Sequence, residues 1–304
     1  MVQMKASARF QLLKGLSGHF AIMLLASLSC LALPEDGGCS APNGKARQLK
    51  TTAKATPVTT TNKTTELAAA DNAFMSLQYS VADSLYKCML ETSPENADLY
   101  WKLARLNITV AESINPSESA KRIPYYTKAV DYARKSVALD STNANGHTWL
   151  AASLALKADK IGAKEKVKRA GEIKRELDKA LALNPHDDVA WSILGSYHHQ
   201  ISNIGWFSRI VGSTFIGGMP EGNRKAAEHA FKKAISINPR AIRHYHELAL
   251  LYIDEGRNDE ALQTLHVALT KPVLMKSDVR RLEDIRALIK KLSETPPPAE
   301  EPGI

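Results

Sequence analysis

The chain carries nine histidines and three cysteines, the side chains most used to ligate metals or move protons and electrons near neutral pH. Their spacing argues against both uses. His198 and His199 are adjacent, and His244 and His246 lie two apart. Helical neighbours stand three or four residues apart, so neither pair puts two imidazoles on one face. The sequence holds no HExxH, no glycine-rich phosphate loop and no nucleophile elbow. Cys30, Cys39 and Cys88 form no CxxC pair, which leaves no metal knuckle and no redox dithiol. Asp187 with Asp188, and Asp259 with Glu260, read as helix entries, where carboxylates complement the positive end of the helix dipole. The expectation is therefore no catalytic residue, no metal, no cofactor and no enzyme.

The elements that hold these residues repeat. A small or apolar residue is followed four and seven residues later by two more, and after twelve by a stop. The four copies are Ala82, Tyr86, Met89, Pro94; Ala129, Ala133, Ser136, Ser141; Ile173, Leu177, Ala180, Pro185; and Ala227, Phe231, Ala234, Pro239. Offsets of four and seven lie on one helix face, and the stop falls just past its end. Six residues after the stops come Tyr100, His147, Trp191 and Tyr245, each followed by a Leu and a Gly or Ala. The run from Tyr245 through Leu248, Ala249, Tyr252, Ala261, Leu265 and Ala268 to Pro272 resembles the tetratricopeptide consensus. It departs at Leu265, where an aromatic is usual, and at Pro272, which comes one residue early. Small residues at the eighth and twentieth repeat positions let two helix backbones approach. The predicted fold is an all-α, tetratricopeptide-like helical-hairpin solenoid with a C-terminal capping helix. That cap runs from Ser277 to Leu292, with Val279, Leu282, Ile285, Leu288 and Ile289 inward and Arg280, Arg281, Lys290 and Lys291 outward.

The two ends read differently. Residues 1–36 are taken as a signal or anchor segment, with Lys5, Arg9 and Lys14 ahead of an apolar run from Phe20 to Leu33. Export is the leading reading, in a bacterium to the periplasm or envelope. An uncleaved anchor, which would bring membrane association, and an organelle signal are the alternatives. Cys30, after Ser27, Leu28 and Ser29, loosely resembles a lipoprotein cleavage site and is a candidate for lipidation; the alternative is a cysteine that falls in the signal core. Residues 37–67, rich in Thr, Lys, Ala and Pro, are expected to be a disordered tether, and 293–304 a disordered tail. The helical repeat domain is 68–292, entered by a lone helix near Ala82.

Insertions interrupt the repeat. Twelve residues separate Ala249 from Ala261, as in the short consensus, but Ala104 to Ala129, Ala151 to Ile173 and Gly195 to Ala227 span 25, 22 and 32. The first insertion, Ile114 to Pro124, reads as a loop. The second, Lys157 to Arg175, is charged and helix-forming, and the third, Ser202 to Asn223, is apolar. Its Trp206, Arg209 and Phe215 either fill their own hairpin or form a lip for a partner. The order Trp206, Arg209, Phe215, Gly218, Pro220, Ala226, Phe231 is similar to the regulator of microtubule dynamics family. So are Trp101, Leu103, Ala104 and Arg105, the stretch Ile161 to Lys174, and Leu183, Asn184, Pro185. The resemblance runs from about Ala82 to Ala268. It implies a tetratricopeptide-like adaptor associated with microtubules, spindle poles or mitochondrial membranes. The export-like head departs from a cytosolic member and points to a bacterial relative, for which a tubulin partner does not fit.

The net charge of +8 raises the question of an acidic partner. Lys157 to Arg175 concentrates cations among Glu165, Glu172 and Glu176, which reads as a solvated face or as a surface for an acidic protein, tubulin-like in a eukaryote; nucleic acid is not expected. In tetratricopeptide stacks the first helix of each pair lines a groove. Carried over by register, that groove is built around Trp101, Arg105, Thr148, Ser192, His199, Arg243 and His246. Trp101 and Arg105 replace the Lys and Asn with which chaperone-binding members hold a terminal carboxylate, so that role is disfavoured. The resulting expectation is a non-catalytic protein-interaction adaptor. The competing readings are a membrane-tethered envelope protein and a regulatory subunit of an enzyme complex.

Overall fold

Each repeated stop has a structural task. The computed structural model describes residues 59–211 and 223–294, and every regular element among them is helical. Helices α1 (Thr59–Met75) and α2 (Tyr79–Thr92) form an entry hairpin. The pairs α3 (Ala97–Ser113) with α4 (Ile123–Leu139), α5 (Ala144–Ile161) with α6 (Ala163–Leu183), α7 (Asp188–Val211) with α8 (Arg224–Ile237) and α9 (Ile242–Asp254) with α10 (Asn258–Leu269) follow. Helix α11 (Lys276–Glu294) comes last. Pro94, Ser141, Pro185 and Pro239 each lie two residues beyond a helix end. Their carbonyls accept a hydrogen bond from the side chain six residues on: Tyr100 Oη at 3.0 Å, His147 Nε2 at 3.0 Å, Trp191 Nε1 at 2.9 Å and Tyr245 Oη at 3.0 Å. The position therefore asks for a ring that can donate, and His147 satisfies it as Trp and Tyr do. Asn96, Asn143 and Asn223 cap α3, α5 and α8, and Asp187 Oδ1 accepts from Ala190 N at the start of α7.

The small residues mark where helices touch. Ala104, Ala129, Ala151, Ala249 and Ala261 are fully buried. At Gly195 an added Cβ would stand 2.6 Å from the ring of Phe231, which draws α7 and α8 together.

Three expectations are corrected. The tether was expected to run to Leu67, yet α1 begins at Thr59, and the helix at Ala82 is not alone. Ala70, Ala73 and Phe74 of α1, with Leu67 beside them, pack on Tyr79, Ala82 and Tyr86 of α2. The insertions were expected to fall between the two helices of a hairpin; the second, read as helix-forming, and the described part of the third lengthen the helices themselves. Helices α5 and α6 run 18 and 21 residues and α7 runs 24, against 13 and 12 for α9 and α10. Only Gly162, at φ 126°, separates α5 from α6, a backbone region that side chains strain to enter. The first insertion becomes a 3-10 helix, Pro116–Arg122, rather than a plain loop. Lastly, Arg280 and Arg281 of α11 do not face outward. Arg280 donates to the carbonyls of Glu112 at 3.0 Å and Ile114 at 3.2 Å, and Lys276 N donates to Tyr79 Oη at 3.3 Å. From Leu282 onward α11 packs on α9 and α10, around the fully buried Ile285; Val279, nearer its start, is 54% exposed. The start of α11 reaches back to α2 and α3 instead.

The last repeat is tied by charge. Glu228 on α8 accepts from Arg257 at 2.8 Å, Lys232 at 2.7 Å and Tyr252 at 3.0 Å. These donors, Arg257 foremost, hold its carboxyl down to about 2. A carboxylate depressed on folding stabilises above its unfolded value of 4.5 and loses that contribution as pH falls toward 2. With the side chain largely shielded, the contribution at pH 7 is about 2 kcal/mol. Urea midpoints of the Glu228→Gln variant should therefore fall clearly below wild type at pH 7 and approach it at pH 3. A gap that does not narrow would refute the assignment.

Helix α6 contains Gly171 on its exposed face, where an added Cβ would meet nothing within 4 Å. Glycine inside a helix costs about 1 kcal/mol relative to alanine, and no packing contact here requires it.

Among the described residues, no helix is long and apolar enough to cross a membrane. The head at 1–36, Cys30 and Phe215 lie outside the described residues. Trp206 and Arg209 fall in the final turns of α7, with side chains likewise outside the description.

Candidate functional site

A cleft of about 270 Å³ opens between α3, α5, α6, α7 and α9. Ala155, Leu156, Ile193 and Ile201 give it an apolar floor. Its charged wall is Glu112, Arg122, Asp159, Lys160, Lys166, Arg243 and Glu247. Much of this wall comes from the insertions. Arg122 belongs to the first, and Asp159, Lys160 and Lys166 to the second, so the extra helical turns deepen the cleft.

Most of the wall charges have partners. Asp159 sits 2.5 Å from Lys166 and 3.2 Å from Lys160. Burial opposes its ionisation, but the two lysines outweigh burial and keep its pKa low. Arg122 donates to the Ile114 carbonyl at 2.5 Å and lies 3.7 Å from Glu112, which also accepts from Tyr126. Glu247 accepts from Ser196 Oγ at 3.4 Å. Arg243 makes no hydrogen bond or ion pair among the described residues. Arg281 of α11 lies close by: burial lowers its pKa first, and the like charge of Arg243 lowers it further. Arg281 itself is paired with Asp278 at 2.6 Å, which leaves Arg243 as the cleft guanidinium that an incoming carboxylate could engage.

The register-derived groove residues meet different fates. Arg105 is engaged by α1: its guanidinium lies 3.9 Å from the Phe74 ring centroid and 3.9 Å from Asp71. Asp71 also accepts from Lys102 at 2.8 Å and Tyr86 at 2.6 Å, which closes the network. Trp101 donates to Asp98 at 2.7 Å. Helix α1 thus engages Arg105 at this end of the register-derived groove. Thr148 is buried and donates to Asp187 Oδ2 at 2.6 Å, joining α5 to α7. Ser192 is buried, and its hydroxyl has no partner among the described residues. His199 bonds Asp254 at 2.7 Å, joining α7 to α9. His246 is half-buried, and burial lowers its pKa. Arg243 lines the cleft, together with the same-register Ala152, Ala155 and Ser196. Glu112, Arg122, Lys166 and Glu247 were not singled out for the groove. The first three lie beyond the short consensus helix, so the repeat register assigns them no position, although the insertions themselves were the signal. No metal-binding cluster occurs among the described residues.

Comparison with known proteins matches this architecture. The family model for regulator of microtubule dynamics protein 1-3 matches residues 66–293. Mouse regulator of microtubule dynamics protein 1 is 28% identical over 158 residues, covering 52% of this chain and 52% of that protein. The Caenorhabditis elegans protein of the same name is 23% identical over 224 residues, 74% of this chain and 98% of that one. The chain spans about half the length of the first mammalian relatives it matches. A thermophilic tetratricopeptide-repeat protein of Thermus thermophilus shares the fold at TM-score 0.53 and 18% identity, covering 77% of this chain and all of that one. The stops, small residues, lengthened hairpins and family match agree, and the chain belongs to the regulator of microtubule dynamics family.

Proposed function

We propose that this chain is a non-catalytic protein-interaction scaffold that holds an extended peptide segment in the cleft. An acidic side chain of the peptide meets Arg243, and an aliphatic one lies over Ala155 and Leu156. Arg243 carries this reading: it is a guanidinium on the cleft wall without a hydrogen bond or ion pair among the described residues. A charge in a partly desolvated cleft gains most from a hydrogen-bonded counter-charge, and guanidinium suits a carboxylate in bidentate geometry. The relatives' name makes an acidic tail of the tubulin kind the first partner to try. It also favours a microtubule-associated location over the exported one read from the head.

The test is a displayed peptide library panned on the full chain and on Arg243→Glu. Wild type should enrich segments that pair an acid with an aliphatic residue, and their affinity should fall at least about tenfold, or about 1.4 kcal/mol, in the variant. Enriched segments without an acid, or with equal affinity for both proteins, would sink the reading.

A further inference from the structure

We propose that the exposed ridge of α6 is a second docking surface, which takes an acidic polypeptide segment lying extended along the helix. Lys164, Lys168, Arg175 and Lys179 are all exposed. Their spacing of four, seven and four residues places them within an arc of about 60° at 100° per residue. The remaining cations of this helix are neutralised along its flanks. Lys166 pairs with Asp159, Arg169 with Glu165 and Glu172, and Lys174 with Asp178. On the ridge, Lys164, Lys168 and Lys179 have no hydrogen bond or ion pair among the described residues, and Arg175 lies a long 3.6 Å from Glu176. Helix α6 therefore sorts its charges, with closely paired cations beside the ridge and, on it, three without a partner among the described residues and Arg175 in one long contact.

Gly171 stands in the middle of this ridge, and among the described residues nothing comes near enough to require a glycine there. A bare backbone between two pairs of cations lets the main chain of a partner come close. From Lys164 to Lys179 the ridge is about 22 Å long, the span of about seven extended residues. The occupant's class follows from what else α6 offers. It has no aromatic side chain on which a base could stack, which disfavours single-stranded nucleic acid. Its apolar face, with Ile173, Leu177 and Ala180, is buried in the core and cannot enter a lipid surface. A linear acidic peptide is the partner that the ridge fits.

The experiment measures fluorescence anisotropy of a labelled ten-residue oligoglutamate with the full chain at low salt. Lys164→Glu with Lys168→Glu should weaken binding at least about tenfold, and Gly171→Gln at least about threefold without lowering the melting temperature. Lys225→Glu with Arg240→Glu, the same charge reversal at exposed positions outside both surfaces, should leave this affinity within about twofold, and the ridge variant should keep the affinity of the segments selected on the cleft, which separates the two readings. Circular dichroism confirms that each variant is folded. The proposal is overturned if wild type does not bind, or if either ridge variant binds as well as wild type. It is equally overturned if an oligothymidylate of the same length, or phosphatidylserine vesicles, bind wild type more tightly than oligoglutamate.

Discussion

Phe231→Ala is expected to lower stability by about 3–5 kcal/mol, measured as a shift of the urea midpoint at constant slope. Phe231 is fully buried between α8 and the helices before and after it. Its ring rests on the bare backbone of Gly195, 2.6 Å from where a Cβ would stand, so its removal leaves a void that rigid helices cannot close. The same contact predicts the partner effect. Gly195→Ala forces the ring out of place and should cost about 1–3 kcal/mol. Combined with Phe231→Leu, it should cost less than the sum of the two single changes, because the smaller side chain vacates the space that the methyl needs. Strict additivity would mean that the two residues do not pack as described.

Ile285→Ala is the second large effect, at about 2–5 kcal/mol. Ile285 is fully buried against Ile242, Tyr245, Ala249, Leu265 and Ala268 and anchors α11 on the last repeat. The first half of α11 reaches α2 and α3 through polar contacts, from Lys276 to Tyr79 and from Arg280 to the Glu112 and Ile114 carbonyls. Such hydrogen bonds contribute about 1 kcal/mol each at most sites and cannot hold the helix without the anchor. Hydrogen exchange should therefore accelerate in α11 and also at the end of α3, which is far from residue 285 in sequence. Faster exchange confined to α9 and α10 would show that the return of α11 is independent of the anchor.

Much of the scaffold was legible in the sequence, because its determinants are short-range. The stop and the ring six residues later are joined by one hydrogen bond within a single turn-and-helix segment. The small residues at Ala104, Ala151, Gly195 and Ala249 mark each hairpin's own contact. The candidate site was less legible. Thr148 and His199 have helix-register positions that suit a groove, yet Asp187 and Asp254, each one repeat onward, claim their polar atoms. Asp187 was read as a helix entry, and it does cap α7, but its second oxygen crosses to Thr148.

By itself the sequence determined the repeat register, the helix ends at the four stops and the places where length was added. All of these follow from periodicity and from which residues end a helix. Only the tertiary structure decided which surface stays available. Arg105 meets Asp71 and Phe74 because α1 folds onto the first repeat, and Lys276 meets Tyr79 because α11 returns across the stack. A solenoid writes its stacking locally, one repeat against the next, while its closure joins residues 197 apart. No periodic signal carries that information, so the register that named both Arg105 and Arg243 could not tell them apart until the partners of each were known.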